Sequence, residues 1–199
     1  MKTSSDGCVL DAGSKALVAA LGERDRYTQF HSKRVAEFAH QIGVACNLAS
    51  DDLIILNISA YFHDIGKIGI PDKVLLKPVR FTLDDMQVMK SHPEKGERIV
   101  KELGLRSGDC IALAVRHHHE HFDGAGYPDG LQGEAIPFIS RIISVADSYD
   151  AMSKARPYHA ARPVFEVMDI MQRESGTKLD AYVVSKLCAL IEAREGFLN

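Results

Sequence analysis

The sequence predicts an all-α fold, and three observations lead there. Apolar residues recur at helical spacing in most of the longer segments, helix-opening signals recur along the chain, and no convincing strand alternation is found. Internal repeats and low-complexity stretches are likewise not found. The 199 residues suffice for one domain with a sizeable core, and 46% hydrophobic with 26% charged residues is ordinary for a globular chain. The expected division is a flexible segment over 1–13 and a single compact helical domain over 14–199.

Residues 1–12 are small and polar, and poor order is expected there. A short helical pattern runs from Ser14 to Leu21. A longer helix is expected from about Thr28 to Cys46, because Val35, Phe38, Ala39 and Ile42 share one face. His31 lies one turn before Val35 and shares that face. Ser50 reads as an N-cap, with Asp51 and Asp52 favouring the positive end of the helix it opens. That helix, Asp52 to about Ile65, is apolar on most faces and should be central. Gly66 is expected to stop it, leaving His63 and Asp64 in the last turn.

Pro71 begins a short element, Thr82-Leu83-Asp84-Asp85 opens a helix, and Ser91 opens another with Pro93 at its first position. A helix from Ser107 to about His119 should bury Ile111, Leu113, Ala114 and Val115. Gly124, Gly126, Pro128 and Gly130 then specify an irregular loop with defined turns. An apolar helix from Pro137 to about Met152 carries Asp147 and Asp150 on one face. Arg156-Pro157-Tyr158-His159 reads as a loop, and helices from Pro163 to Arg173 and Asp180 to Arg194 close the chain.

A net charge of −3 argues against a long nucleic-acid partner, though a local basic pocket for a small phosphorylated ligand is compatible with it. Cys8, Cys46, Cys110 and Cys188 show no Cys-x-x-Cys spacing, so a thiolate metal site or redox motif is not expected. Free thiols in a reducing cytoplasm are the plain reading. No long apolar segment and no signal-peptide pattern is seen, so a cytoplasmic protein without a membrane partner is expected.

The chemistry concentrates in Ala60-Tyr61-Phe62-His63-Asp64-Ile65-Gly66-Lys67-Ile68-Gly69-Ile70-Pro71. A histidine and an aspartate stand together at the end of an apolar run, with Lys67 three residues on. Burying a carboxylate without a partner is costly, and metal coordination would explain the pair. Of nine histidines, five group as ligand candidates: His31, His63, His92, His118 and His119. His31, His63, Asp64 and Asp147 fall on or beside inward-facing positions of three separate helices, the way helical bundles build metal sites. Adjacent residues diverge by about 100° on a helix, so both members of His63-Asp64 or His118-His119 reach one site only near a helix end or across two metals. His40, His117 and His121 read as surface or supporting residues. The imidazole-rich donor set favours iron, manganese, nickel, cobalt or zinc over magnesium or calcium.

With these segments in view, the chain resembles an HD-GYP domain, a subgroup of the HD phosphohydrolase superfamily. The matching stretches, in the family's order, are Arg24 to Ser32, His63 to Pro71, His92-Pro93-Glu94-Lys95-Gly96, His118-His119-Glu120, Asp123 to Gly130, Val145-Ala146-Asp147 and Arg156-Pro157-Tyr158. They span roughly Ser14 to Leu190. The resemblance implies a helical HD-type fold with its metal site in the helical core, and a cytoplasmic phosphodiesterase that opens cyclic di-GMP to linear pGpG, in some members on to GMP. It implies one metal on His31, His63, Asp64 and Asp147 and a second on His92, His118 and His119, with Asp64 bridging. Where some members carry a third-metal glutamate this chain has Tyr27, so two ions are expected, with iron or manganese favoured. His159 stands where the family usually has lysine or arginine, which would make that phosphate contact weaker or pH-dependent.

Diester hydrolysis needs an activated hydroxide, neutralised phosphoryl oxygens and a stabilised leaving oxygen, all of which two metals can supply. Asp64 and Lys67 are the expected catalytic residues. Lys67, Asp150, Arg156, His159 and Tyr127 are expected to contact substrate, Arg156 as a bidentate phosphate clamp, while Asp150, three residues after Asp147, is also read as supporting a ligand or acting as a base. The Gly126-Tyr127-Pro128 loop is expected to shape the site or to meet a signalling-domain partner. The competing readings are the same centre acting on cyclic GMP-AMP or another nucleotide, and a non-catalytic module that binds cyclic di-GMP. Oligomeric state is not legible.

Overall fold

The computed structural model describes residues 12–154 and 161–196. They form ten α-helices and two short 3-10 turns, with no strand among them; the nearest approach to one is an isolated bridge between Ser175 and Leu179. Of the segment expected to be flexible, 1–13, residues 1–11 lie outside the described residues, as does the Arg156 to His159 loop, while Ala12 and Gly13 belong to the first helix.

Helix α1 (Ala12–Arg24) leads into α2 (Arg26–Ala45), whose N-cap is Asp25, its carboxylate accepting the Thr28 amide at 3.2 Å. Helix α3 (Ser50–Phe62) packs on α2. A 3-10 turn over Ile65–Gly69 then leads to the short helices α4 (Asp72–Leu75) and α5 (Leu83–Met89). Thr82 and Asp85 form a reciprocal capping box at the start of α5. Helices α6 (His92–Glu102) and α7 (Gly108–Arg116) pack on each other. Helix α8 (Phe138–Ser153) lies against α2 and α3, and α9 (Val164–Arg173) and α10 (Ala181–Gly196) cover it.

Two hydrophobic cores result. Val35, Ala39 and Ile42 of α2 meet Leu56 and Ala60 of α3, Ile142, Ile143 and Ala146 of α8, and residues of α9 and α10. A second core joins Val18 and Leu21 of α1 to Phe62, Ile65, Val100, Ile111 and Val115. Helix α3 contributes to both, and its C-terminal end, where His63 and Asp64 follow, lies where they meet.

Several sequence expectations need correction. The N-cap of α3 is Ala49 rather than Ser50, without a side-chain cap bond. Helix α3 ends at Phe62, so His63 is its C-cap and Asp64 starts the following turn. Gly66 is not a left-handed helix stop. It is a point of closest approach: a Cβ there would overlap the His92 carbonyl oxygen and come within 2.5 Å of the Gly96 amide. Pro93 occupies the second rather than the first position of α6, which starts at His92. Helix α7 stops at Arg116, so His118 and His119 lie beyond it, and Leu113 faces outward, 43% exposed.

The contact at Gly66 holds the His63-Asp64 turn against the start of α6. Gly66→Ala should therefore destabilise the chain by about 2 kcal/mol or more, because backbone rather than a flexible side chain must yield. The shift would be read from the midpoint of urea unfolding; an unchanged midpoint would show that the contact is not tight.

Candidate metal centre

Three of the five histidine candidates are oriented by one device. His63 Nδ1 lies 2.7 Å from the Ala60 carbonyl, His92 Nδ1 2.8 Å from that of Met89, and His118 Nδ1 2.6 Å from that of Val115. Each acceptor is three residues back and belongs to the last turn of α3, α5 or α7, where carbonyls lack intrahelical partners. A carbonyl only accepts, so Nδ1 carries the proton and Nε2 of each neutral ring is left with its lone pair. His63 Nε2 is buried with no hydrogen-bond partner, and His92 and His118 Nε2 face each other at 3.4 Å. Lone pairs so placed call for a cation between or beside them.

Asp64 stands between the rings, 3% exposed. Its Oδ1 is 3.3 Å from His92 Nε2, while Oδ2 is 3.4 Å from His63 Nε2, 3.9 Å from His31 Nε2 and 2.6 Å from Lys67 Nζ. One oxygen thus faces each histidine set. His31, His63 and Asp64 form one group of converging donor atoms, and His92, His118 and His119 another. Asp147 joins the first group through His31, its Oδ1 3.0 Å from Nε2.

His31 differs because it sits inside α2, where no free carbonyl is available. Its Nδ1 donates instead to Asp150 Oδ2 at 2.7 Å, and Arg34 holds the same carboxylate from Nε at 2.7 Å and from its terminal nitrogen at 2.9 Å. Tyr27, one turn before His31, stacks on the His31 ring with centroids 5.9 Å apart. Lys67 is carried by the 3-10 turn, which Arg24 grips through the carbonyls of Ile68 and Ile70 and through Asp72 at 2.5 Å.

The Gly-Tyr-Pro loop closes over His119. Tyr127 stacks on that ring at 4.9 Å, its amide donates to the His119 carbonyl at 3.2 Å, and Lys90 lies 5.0 Å from its ring centre. Gly126 permits this: a Cβ there would overlap the His121 amide and lie 2.5 Å from Glu120 Cα. The buried Glu120 carboxylate accepts the amides of Asp129 and Leu131 at 2.7 and 3.1 Å. Asp129 in turn takes a bidentate pair from Arg116 at 2.7 and 2.8 Å and a bond from His117 at 2.9 Å. His117, Glu120 and Asp129 converge closely enough for an ion, but these bonds already satisfy the two carboxylates and make the cluster an anchor for the loop.

Burial sets the charge states, modified by neighbours. It disfavours charge on Asp64, yet the Lys67 ammonium beside it holds that carboxyl well below the usual range. Burial would also lower His31, but its bonds to Asp147 and Asp150 raise it to about 9. Burial pushes His92 down to about 4 and His119 to about 3, and burial together with the neighbouring imidazoles holds His118 well below its usual range. His92, His118 and His119 are therefore neutral imidazoles and Asp64 and Asp147 ionised carboxylates, with one proton on His31 that a cation would displace.

Every ligand candidate read from the sequence, together with Lys67 and Tyr127, lies in this region. Arg156 and His159 fall outside the described residues. Of the roles expected of Asp150, the contact with substrate or as a base needs correction: it is 0% exposed behind His31 and engaged by His31 and Arg34, which leaves the role of supporting a ligand. Sequence reasoning missed Arg34, Glu120 and Asp129. The signal for Arg34 was its spacing, three residues after His31 and therefore on the same side of α2.

These shifts give the metal-free chain a stability maximum near pH 6.5. Between 6.5 and 9 the folded state holds the His31 proton that the unfolded chain releases, so stability falls as pH rises. Below 6.5 the unfolded chain protonates His92, His118 and His119 while the folded chain keeps them neutral, so stability falls as pH drops toward 4. Urea midpoints from pH 4.5 to 9.5 would trace the peak; a monotonic profile would contradict these assignments.

The model of the HD domain family matches residues 17–183. The chain is 39% identical over 171 residues to the cyclic di-GMP phosphodiesterase response regulator RpfG of Xanthomonas campestris, covering 86% of this chain and 45% of that protein. It is 34% identical over 174 residues to the 3′3′-cGAMP-specific phosphodiesterase 3 of Vibrio cholerae, covering 85% and 37%. It thus spans less than half the length of these relatives. Among solved structures, the HDG"Y"P protein Bd1817 of Bdellovibrio bacteriovorus superposes with a TM-score of 0.67 at 17% identity, over 90% of this chain and 57% of that one, which speaks for the fold. The chain belongs to the HD-domain family, and carries within it the HD-GYP set of motifs.

Proposed function

We propose that this domain is a metal-dependent phosphodiesterase that hydrolyses cyclic di-GMP to linear pGpG. The observation that carries the reading is the Asp64 carboxylate shared between two sets of imidazoles whose Nε2 lone pairs are turned inward. His31, His63, Asp64 and Asp147 would hold one divalent ion, and His92, His118 and His119 a second, with Asp64 common to both. Iron or manganese suits these nitrogen and oxygen donors. When bound, two such ions lower the pKa of water and neutralise phosphoryl and leaving oxygens.

The chain's own residues do the rest. Lys67 carries its charge beside Asp64 with its side chain 22% exposed, and its remaining donors can meet a phosphate oxygen at the centre. Asp150 and Arg34 fix the His31 ring, and Tyr127 fixes that of His119. Tyr127 is thereby engaged on His119 and near Lys90, and orients a ligand rather than a base. Arg156 remains the phosphate clamp proposed from its guanidinium chemistry. Cyclic GMP-AMP is the second substrate to consider, because a relative at 34% identity is named for it.

The test is metal content per chain on anaerobically purified protein, with turnover of cyclic di-GMP and 3′3′-cyclic GMP-AMP. Two transition metals and faster cleavage of cyclic di-GMP are expected. No turnover with Fe(II) or Mn(II) would overturn the reading. Lys67→Met should keep both ions and lower kcat by about a hundredfold, the scale for one lost charge-stabilising donor; loss of metal instead would assign Lys67 a structural role.

A further inference from the structure

A cavity of about 210 Å3 opens off the metal-ligand candidates His119 and Asp147, and its remaining lining has no role assigned above. One face of α8 lines it: Ser144, Asp147, Ser148 and Ala151 stand at i, i+3, i+4 and i+7, with Met152 alongside. His119, His121 and Lys178 complete the lining. The last two are brought together by backbone bonds, from the Phe122 amide to the Lys178 carbonyl at 3.1 Å and from the Asp123 amide to the Thr177 carbonyl at 2.8 Å. Because Asp147 and His119 belong both to the cavity and to the centre, a nucleotide with its phosphate at the centre has this cavity within reach of its base.

We infer that this cavity is a guanine-binding pocket in which Lys178 reads the base, an inference that rests on the phosphodiesterase reading for its substrate. Pockets for drug-sized ligands take about 300–1,000 Å3, so this one suits a single base rather than a whole dinucleotide. Guanine presents N7 and O6 as adjacent acceptors, whereas adenine pairs N7 with an amino donor. An ammonium group only donates, so Lys178 complements guanine and leaves the adenine amino group facing another donor. The Ser144 and Ser148 hydroxyls can donate or accept along the base's other edge, and Ala151 and Met152 offer apolar surface to its ring face. Lys178 can turn inward at little cost. Its side chain is 40% exposed, and its pair with Glu174 at 3.2 Å is an exposed i,i+4 contact of small strength.

Calorimetric binding of 5′-GMP and 5′-AMP to the manganese-loaded chain reads the pocket without turnover. GMP should bind about tenfold more tightly than AMP, Lys178→Met should remove the difference, and Lys178→Arg, which keeps the donors, should retain most of it. With 3′3′-cyclic GMP-AMP, only one orientation places guanine in the pocket, so the wild-type chain should give one linear isomer and Lys178→Met both. Equal affinity for the two mononucleotides in the wild-type chain would overturn the base pocket and leave the phosphodiesterase reading standing. Equal loss of both in Lys178→Met would overturn it too, by making Lys178 a phosphate contact. A GMP preference lost in Lys178→Met, without cleavage of any cyclic dinucleotide, would support the pocket while removing the catalytic reading.

Discussion

The centre of this domain depends on Asp64, a carboxylate held 3% exposed among imidazoles and ionised there. Isolated burial of such a charge is unfavourable, and Lys67 offsets it from one side only. His31 keeps its proton between Asp147 and Asp150, while His92 and His118 bring their Nε2 atoms within 3.4 Å of each other and present lone pairs there. A divalent ion would resolve both problems at once, and the position of Asp64 between two histidine sets is what supports the proposal that it is shared.

The geometry follows from where the helices end. An imidazole that follows a helix terminus can donate back to an orphaned carbonyl three residues earlier, and that single bond sets both tautomer and ring direction. His63, His92 and His118 use the ends of α3, α5 and α7 in this way. His31 lies within a helix and needs an external acceptor, which explains why a fully buried aspartate, Asp150, with its own guanidinium partner, stands behind it. Glycine allows the pieces to meet: Gly66 brings the His63-Asp64 turn against the start of α6, and Gly126 brings the Tyr127 loop against His119.

Much of this was legible in the sequence, because helical periodicity and the His-Asp motifs are local signals. The all-α fold, the inward face of α2 and the grouping of His31, His63, Asp64, His92, His118, His119 and Asp147 are of that kind. What periodicity could not supply was the tertiary reason for each break. Gly66 reads as a stop because glycine often ends helices, whereas its role is a close approach to His92 and Gly96 of α6, far along the chain. The end of α7 falls at Arg116, and beyond it His118 bonds back to the Val115 carbonyl and His117 to Asp129 in the loop, partners that no local pattern announces. Arg34, Glu120 and Asp129 were missed because a lone charged residue carries no pattern until its partners, Asp150, two loop amides and Arg116, are brought to it by the fold.

The most direct test of the account is anomalous diffraction from crystals of the chain loaded with manganese or iron. It predicts two peaks about 3.5–4 Å apart, one among His31, His63 and Asp147 and one among His92, His118 and His119, with an Asp64 oxygen on each. A single peak, or two peaks with Asp64 bound to neither, would contradict the shared-carboxylate centre.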